Sequence, residues 1–168
     1  MSNMLCVYYS RTGKTEALMQ EIARELGDCE IVKLDDGINR SGLFGWLRSG
    51  MDAMARQIPA VARPETKLPL NEYDLVIVAT PVWAGRCSAP VRSFLRQFGE
   101  ELQNVAYVIT RASEARYEEV FQQMDLYAIN PHIYELTVQP GTIGVDFWKA
   151  EFLAAVRGGE KREEQRDA

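Results

Sequence analysis

The chain has 168 residues, of which 46% are hydrophobic, 26% charged and 10% aromatic, and its formal net charge is −5. The length predicts one domain, and a composition near the globular average argues against disorder, collagen and coiled coil. The apolar runs are far shorter than the roughly 20 residues of a membrane-spanning helix, and the acidic balance disfavours nonspecific nucleic-acid binding.

The amino terminus and the cysteines predict a cytoplasmic protein. No basic residue precedes the apolar segment 4–9, so we expect no signal peptide. Cys6, Cys29 and Cys87 are odd in number and lack CxxC spacing, which is typical of a reducing compartment and argues against a zinc site. Neither Cys6 nor Cys87 begins the Cys-x5-Arg loop of a tyrosine phosphatase, so that class is excluded.

Apolar segments alternate with helical patterns along the chain, which predicts repeated β–α–β units and a parallel sheet. Five strands are predicted, at residues 4–9, 30–34, 75–80, 105–110 and 132–138. Helices are predicted by residues at helical spacing, namely Leu18, Ile22 and Leu26; Val91, Phe94, Leu95 and Phe98; Tyr117, Val120, Phe121 and Met124; and Trp148, Phe152, Ala155 and Val156. The lone histidine, His132, is expected to start the buried fifth strand rather than to act as a base.

A long connection separates the second and third predicted strands. It is predicted to contain a helical insertion at about residues 40–60, with apolar positions at Leu43, Leu47, Met51, Met54 and Ile58. Pro59, Pro64 and Pro69 then predict an irregular segment. Because a glycine pair and a densely charged run end the chain, residues 1–157 are predicted as a single domain and 158–168 as a disordered tail.

A polar turn, Ser10-Arg11-Thr12-Gly13-Lys14-Thr15, joins the first strand to the first helix. The free N–H groups and the positive dipole end of a helix N-terminus favour an anion such as phosphate, and Gly13 permits close approach of the backbone. The alternative is an ordinary N-cap, for which serine and threonine are also preferred. A Walker A loop is excluded because Tyr8 occupies its leading glycine position, and the GxGxxG fingerprint is absent.

A second loop follows the third strand, at the edge of the sheet where the turn also lies. Its sequence is Thr80-Pro81-Val82-Trp83-Ala84-Gly85-Arg86. Trp83 offers a large flat surface on which a planar ligand could stack beside the phosphate. The alternative is that Trp83 is a packed lid over the core.

The SRTGKT turn, the run TPVWAGRCSAPVRSFL at 80–95 and the strand order resemble the flavodoxin-like family, specifically its short FMN-binding members. The resemblance implies an α/β fold with a doubly wound, five-stranded parallel sheet in the order 2-1-3-4-5 and helices on both faces. It also implies that the turn holds the FMN phosphate and that the second loop lines the isoalloxazine ring. The cofactor-binding residues expected on this basis are Ser10, Arg11, Thr12, Gly13, Lys14, Thr15, Thr80, Pro81, Val82, Trp83, Ala84, Gly85, Thr110 and Arg111.

The third cofactor loop departs from the family pattern. Many members have a serine- and glycine-rich turn here, or an aromatic residue that covers the second face of the ring. In this chain Thr110 is followed by Arg111-Ala112-Ser113-Glu114, and the first aromatic, Tyr117, is expected inside the next helix. Arg111 either stabilises the anionic reduced flavin, raising its potential, or is a simple surface arginine.

These observations predict an FMN-dependent redox protein. It would work either as an electron carrier that meets a redox partner protein, or as an oxidoreductase that takes electrons from NAD(P)H and passes them to a quinone-type acceptor. The alternative is a flavodoxin-fold interaction module that binds no cofactor. Phe44 and Trp46 mark a candidate homodimer or partner surface, and Cys87 is expected to be an inert small residue rather than a redox-sensitive thiol.

Overall fold

The computed structural model describes residues 3–27, 29–35, 37, 42–54 and 61–166. The strands in this part of the chain are β1 (Met4–Tyr8), β2 (Glu30–Lys33), β3 (Leu75–Trp83), β4 (Arg86–Cys87), β5 (Val105–Thr110) and β6 (Tyr134–Val138). The α-helices are α1 (Lys14–Leu26), α2 (Gly42–Met54), α3 (Ala89–Phe98), α4 (Glu118–Asp125) and α5 (Val145–Arg166). Short 3-10 helices cover Leu70–Glu72 and Gly99–Glu101.

Five of the strands form a parallel sheet in the order β2-β1-β3-β5-β6. This confirms the predicted order 2-1-3-4-5, since β4 is a two-residue addition that pairs antiparallel with the end of β3. Ala84 and Gly85 connect the two with φ of 47° and 72°, as a two-residue type I′ hairpin requires. Because of this hairpin, β3 extends to Trp83, beyond its predicted end at Thr80.

Helices cover both faces of the sheet, as predicted, and alternate residues of β1 point to opposite faces. On one face Cys6 belongs to an apolar cluster with Ile22 of α1 and Phe152 of α5. On the other face Val7 belongs to a cluster with Phe94 of α3. The two clusters together make the core, and the strand ends between them carry the polar loops described below.

Helix α2 lies within the predicted insertion and contacts α3, β3 and β4. Phe44, on this helix, is 86% exposed. The predicted helical residue Ile58, Pro59 and the side chain of Trp46 lie outside the described residues. None of the helices in the described segments is long and apolar enough to cross a membrane.

The end of the chain differs from its prediction. Residues 158–168 were expected to be disordered, whereas α5 continues to Arg166, and only the final two residues lie outside the described part. The glutamate, lysine, arginine and glutamine residues of this segment are good helix formers, which explains the continuation. The backbone of Gly159 passes close to Tyr134, since a Cβ there would lie 2.0 Å from the hydroxyl oxygen at the far end of that side chain.

Three aromatic residues also depart from their predicted positions. Trp148 is 49% exposed, because α5 buries Phe152, Leu153 and Val156 and leaves Trp148 and Ala155 outward. Tyr117 precedes α4 in the left-handed conformation, with φ of 56°, rather than lying inside the helix. His132 lies two residues before β6 and is partly buried, its ring nitrogens near carboxylate oxygens of Asp125 and Glu135.

Candidate functional site

A cavity of about 540 Å³ lies at the carboxyl ends of β1, β3 and β5, the edge at which ligands of doubly wound sheets bind. Its lining consists of Arg11, Thr12, Lys14, Thr15, Leu47, Ser49, Met51, Pro81, Val82, Trp83, Ala84, Thr110, Arg111, Ala112 and Pro140. The structure therefore brings residues from all three predicted loops around one cavity. Among the predicted site residues, Ser10, Gly13, Thr80 and Gly85 do not line it.

The polar turn enters α1 without a side-chain cap on the helix. Gly13, the N-cap residue, has φ of 85°, and its N–H donates to the hydroxyl oxygen of Ser10 at 3.0 Å. The Ser10 hydroxyl thus closes the turn itself, which differs from the ordinary N-cap alternative. The first N–H groups of α1 have no partners within the helix, and they adjoin the cavity-lining residues Thr12, Lys14 and Thr15.

The charges at this end of the cavity favour an anion. Arg11 and Lys14 line it, whereas the carboxylate in the first turn of α1, Glu16, is held by hydrogen bonds from Lys33 at 2.9 Å and Tyr8 at 3.0 Å. These hydrogen bonds lower the pKa of Glu16, and burial followed by the bond to Glu16 raises the pKa of Tyr8 to about 12. Glu16 is therefore an ionised group already paired outside the cavity lining.

A buried hydroxyl pair connects the turn to the third loop. The side-chain oxygens of Thr15 and Thr110 lie 2.8 Å apart and are hydrogen-bonded. Thr15 is in the first turn of α1 and Thr110 is the last residue of β5. Because both also line the cavity, this bond sets the position of the helix N-terminus relative to the strand end.

The apolar end of the cavity is built around Trp83. This residue is 7% exposed and packs edge-to-face on Tyr9, with ring centroids 5.4 Å apart and an interplanar angle of 86°. It therefore packs into the core, as the lid alternative required, and lines the cavity as well. The contact with Tyr9 fixes the orientation of the indole ring.

Two predicted residues of the second loop support its shape from outside the cavity. Thr80 is fully buried, and its hydroxyl oxygen accepts a hydrogen bond from the N–H of Ser88 at 2.8 Å. This bond ties β3 to the N-cap residue of α3. Gly85 forms the hairpin that turns the chain back after Trp83.

The third loop brings Arg111 to the cavity wall rather than leaving it as a simple surface residue. Its Nη1 donates to the carbonyl of Ser113 at 2.5 Å and lies 3.5 Å from the side-chain oxygen of Gln139. Its Nε is buried and has no hydrogen-bond partner among the described residues. Tyr117 is not in the lining, and its hydroxyl is hydrogen-bonded to that of Ser113 at 3.0 Å.

Five residues of the cavity wall were not predicted from the sequence. Leu47 and Met51 of α2 line the cavity and are 47% and 67% exposed, whereas in the sequence they served only as apolar positions that mark a helix. Ser49, on the same helix, is buried and donates to the carbonyl of Gly45 at 2.7 Å. Pro140, in the loop after β6, and Ala112 complete the missed set.

Comparison with protein-family models finds no match, and neither does comparison with curated proteins. Solved structures do resemble the chain. A flavoprotein from Lactobacillus acidophilus, in complex with FMN, has a TM-score of 0.66 at 21% identity, covering 88% of this chain and 99% of that chain. A WrbA-like flavodoxin from Agrobacterium tumefaciens has a TM-score of 0.54 at 17% identity, covering 94% and 99%.

A third solved structure, an NADH:FMN oxidoreductase in its apo form, has a TM-score of 0.53 at 13% identity and covers 94% of this chain and 88% of that chain. In each comparison nearly the whole of this chain is aligned. The chain therefore has the flavodoxin-like fold.

Proposed function

We propose that the chain binds FMN in this cavity and acts as a redox protein. The observation that carries the proposal is the joining, in one cavity, of the uncapped N-terminus of α1 and the indole ring of Trp83. The first suits an anionic phosphate, and the second suits a flat aromatic ring. The similarity to a flavoprotein solved with FMN adds independent support.

The dimensions and the chemistry of the cavity fit this cofactor. Its volume of about 540 Å³ falls in the range of roughly 300–1,000 Å³ typical of cofactor sites. Arg11 and Lys14 can neutralise a phosphate, and the open surroundings of Gly13, where a Cβ would meet nothing within 4 Å, leave room beside the backbone. The buried Nε–H of Arg111 has no partner among the described residues, so it could donate a hydrogen bond to an oxygen or nitrogen at the edge of the ring.

FMN supplies the electron- and hydride-transfer chemistry when bound, whereas the protein binds, orients and tunes it. Thr15 and Thr110 hold the two loops at a constant separation, and Tyr9 holds the indole of Trp83. Arg111 adds positive charge to the wall of the cavity. We expect this charge to favour the reduced, anionic state of the ring.

Within this role, we propose an oxidoreductase that uses NAD(P)H to reduce quinone-type acceptors. Trp83 is the single aromatic residue among the described residues that line the cavity. The wall that α2 contributes includes the partly exposed apolar side chains of Leu47 and Met51, so an apolar acceptor can reach it from solvent. The fold similarity to an NADH:FMN oxidoreductase agrees with this proposal.

The first experiment is a visible spectrum of the purified protein, followed by titration of the apo form with FMN and with riboflavin by fluorescence quenching. We expect tight binding of FMN and much weaker binding of riboflavin, because riboflavin lacks the phosphate that the α1 N-terminus attracts. Binding of neither compound would overturn the proposal and favour an interaction module without a cofactor.

A second experiment separates the enzyme from the carrier. The FMN-loaded protein is mixed with NADH or NADPH and a water-soluble quinone, and nucleotide oxidation is followed at steady state. Sustained turnover supports the oxidoreductase. Electron uptake only after addition of a flavoprotein reductase would instead identify a carrier.

A further inference from the structure

Two cysteines that do not belong to the cavity lining lie in direct contact. Cys6, in the middle of β1, is fully buried, and Cys29, just before β2, is partly exposed. Their sulfur atoms are 3.0 Å apart although the residues are separated by 23 positions in sequence. Both belong to the face of the sheet that packs on α1 and α5.

We propose that Cys6 and Cys29 form a reversible dithiol–disulfide site that low-molecular-weight disulfides oxidise. Bond formation requires the sulfur atoms to approach from 3.0 Å to about 2.0 Å. Cys29 can supply this movement because it lies between Gly27 and the first residue of β2, outside regular secondary structure. The site does not depend on the proposed cofactor.

The exposure of the two thiols sets the order of the reaction. The thiolate of Cys29, the partly exposed member, attacks one sulfur of a small disulfide RSSR, so that a Cys29–S–S–R bond forms and RS⁻ leaves. The sulfur of Cys6, losing its proton, then attacks the sulfur of Cys29 and expels the second RS⁻. Two protein thiols and RSSR thus give one protein disulfide and two RSH, and the protein is oxidised by two electrons.

The chemistry of Cys6 agrees with its role as the second thiol. The hydrogen bond with Cys29, followed by burial, raises the pKa of Cys6 well above its ordinary value. Cys6 therefore stays protonated in the reduced protein and does not make the first attack; its later attack on the mixed disulfide depends on the 3.0 Å proximity of the two sulfur atoms. A reversible pair is also what the predicted reducing compartment favours, where lasting structural disulfides are rare.

The third cysteine supplies an internal control. Cys87 lies on β4 and belongs to the opposite core cluster. Burial raises its pKa to about 11, and it has neither the exposure of Cys29 nor, on its own face of the sheet, another described cysteine to pair with. The oxidised protein should therefore contain one specific disulfide and one thiol that reacts only after unfolding.

The test exposes the folded, full-length protein to oxidised glutathione, alkylates the free thiols in denaturant and digests with trypsin. Cleavage after arginine and lysine places Cys6 in residues 1–11 and Cys29 in residues 25–33. We expect these two peptides to be linked, and the link to disappear after treatment with dithiothreitol. Closing a loop of this size should raise the thermal midpoint by about 5–10 °C.

Single substitutions make the result specific. Cys87→Ser should still give the linked peptides, whereas Cys6→Ala should retain glutathione on Cys29. Cys29→Ser alters a partly exposed side chain, so it should fold and show no change in thermal midpoint with oxidised glutathione. A wild-type protein that keeps glutathione on Cys29 with Cys6 free, or that leaves both thiols unmodified, would overturn the proposal.

Discussion

The two ends of the cavity are built in different ways. The anion end is one continuous segment, the turn at 10–15, and its recognition groups include the backbone N–H groups at the start of α1. The apolar end is assembled from separate elements, with Trp83 from β3, Leu47 and Met51 from α2, and Pro140 from the loop after β6. A ligand with a charged tail and a flat ring would thus bind to two separate groups of residues. A substitution at one end of the cavity can therefore weaken one of these contacts and leave the other intact.

The largest effect is expected at the anion end. Thr12→Glu places a carboxylate beside the proposed phosphate and should weaken FMN binding at least about 100-fold through charge repulsion. Riboflavin has no phosphate, so its affinity should be unchanged. Titration of both flavins measures the difference, with Gln122→Glu, an exposed position on α4, as the matched control. Retained FMN affinity in the Thr12 variant would contradict the placement of the phosphate.

At the apolar end, Trp83→Ala should weaken FMN and riboflavin equally, by about 10- to 100-fold, because a stacked aromatic contact is lost. The thermal stability of the Trp83→Ala protein should also fall, because the contact between Trp83 and Tyr9 is removed. Trp83→Phe is the control that retains an aromatic face. A loss confined to FMN would mean that the two ends are not independent.

Arg111 lines the cavity from the third loop and belongs to neither end, so its substitution tests a separate contribution to the cofactor. Arg111→Gln should leave the affinity for oxidised FMN within about threefold while lowering the flavin potential by about 30 mV, which corresponds to roughly 1.4 kcal/mol for two electrons. Redox titration of the bound flavin measures this shift. Arg116→Gln is the control, since the Arg116 guanidinium lies over Trp148 instead. An unchanged potential would return Arg111 to the role of a surface arginine.

The smallest effect is expected from the exposed wall of the apolar end. Met51→Ala should raise the KM for a quinone several-fold and leave FMN affinity and thermal stability unchanged, because the side chain is 67% exposed. Leu126→Ala, at an exposed position outside this cavity, is the control for the steady-state assay. Equal KM values in the two variants would argue against an acceptor site on α2.

The parts of this molecule that could be predicted from sequence are those whose signal is local. The turn at 10–15 is contiguous, and the strand order followed from the alternation of apolar segments together with the family resemblance. The wall on α2 was missed because an apolar stripe on a helix has the same spacing whether it faces the core or a cavity. Its exposure is visible only in three dimensions.

Other features depend on contacts between distant segments or on unusual residues. Pro140 reaches the cavity only because β6 pairs with β5, and no local pattern marks it. The β3–β4 hairpin was missed because type I′ turns are recognised by Asn-Gly or Asp-Gly, whereas here alanine occupies the first left-handed position. The carboxyl-terminal part of α5 was not predicted because Gly158 and Gly159 indicated the end of the helix, whereas α5 continues through both.

The two core clusters also differ in when a ribosome can complete them. The buried residues of the α3 and α4 face all precede residue 125, whereas the α1 and α5 face needs residues as late as Val156. Lys149, with a salt bridge to Glu21 at 2.9 Å, joins segments 128 residues apart. Because synthesis proceeds from the amino terminus, a nascent chain can complete the core on the α3 and α4 face of the sheet before α5, which covers the other face, has been synthesised. That face keeps its apolar residues uncovered until α5 has been synthesised.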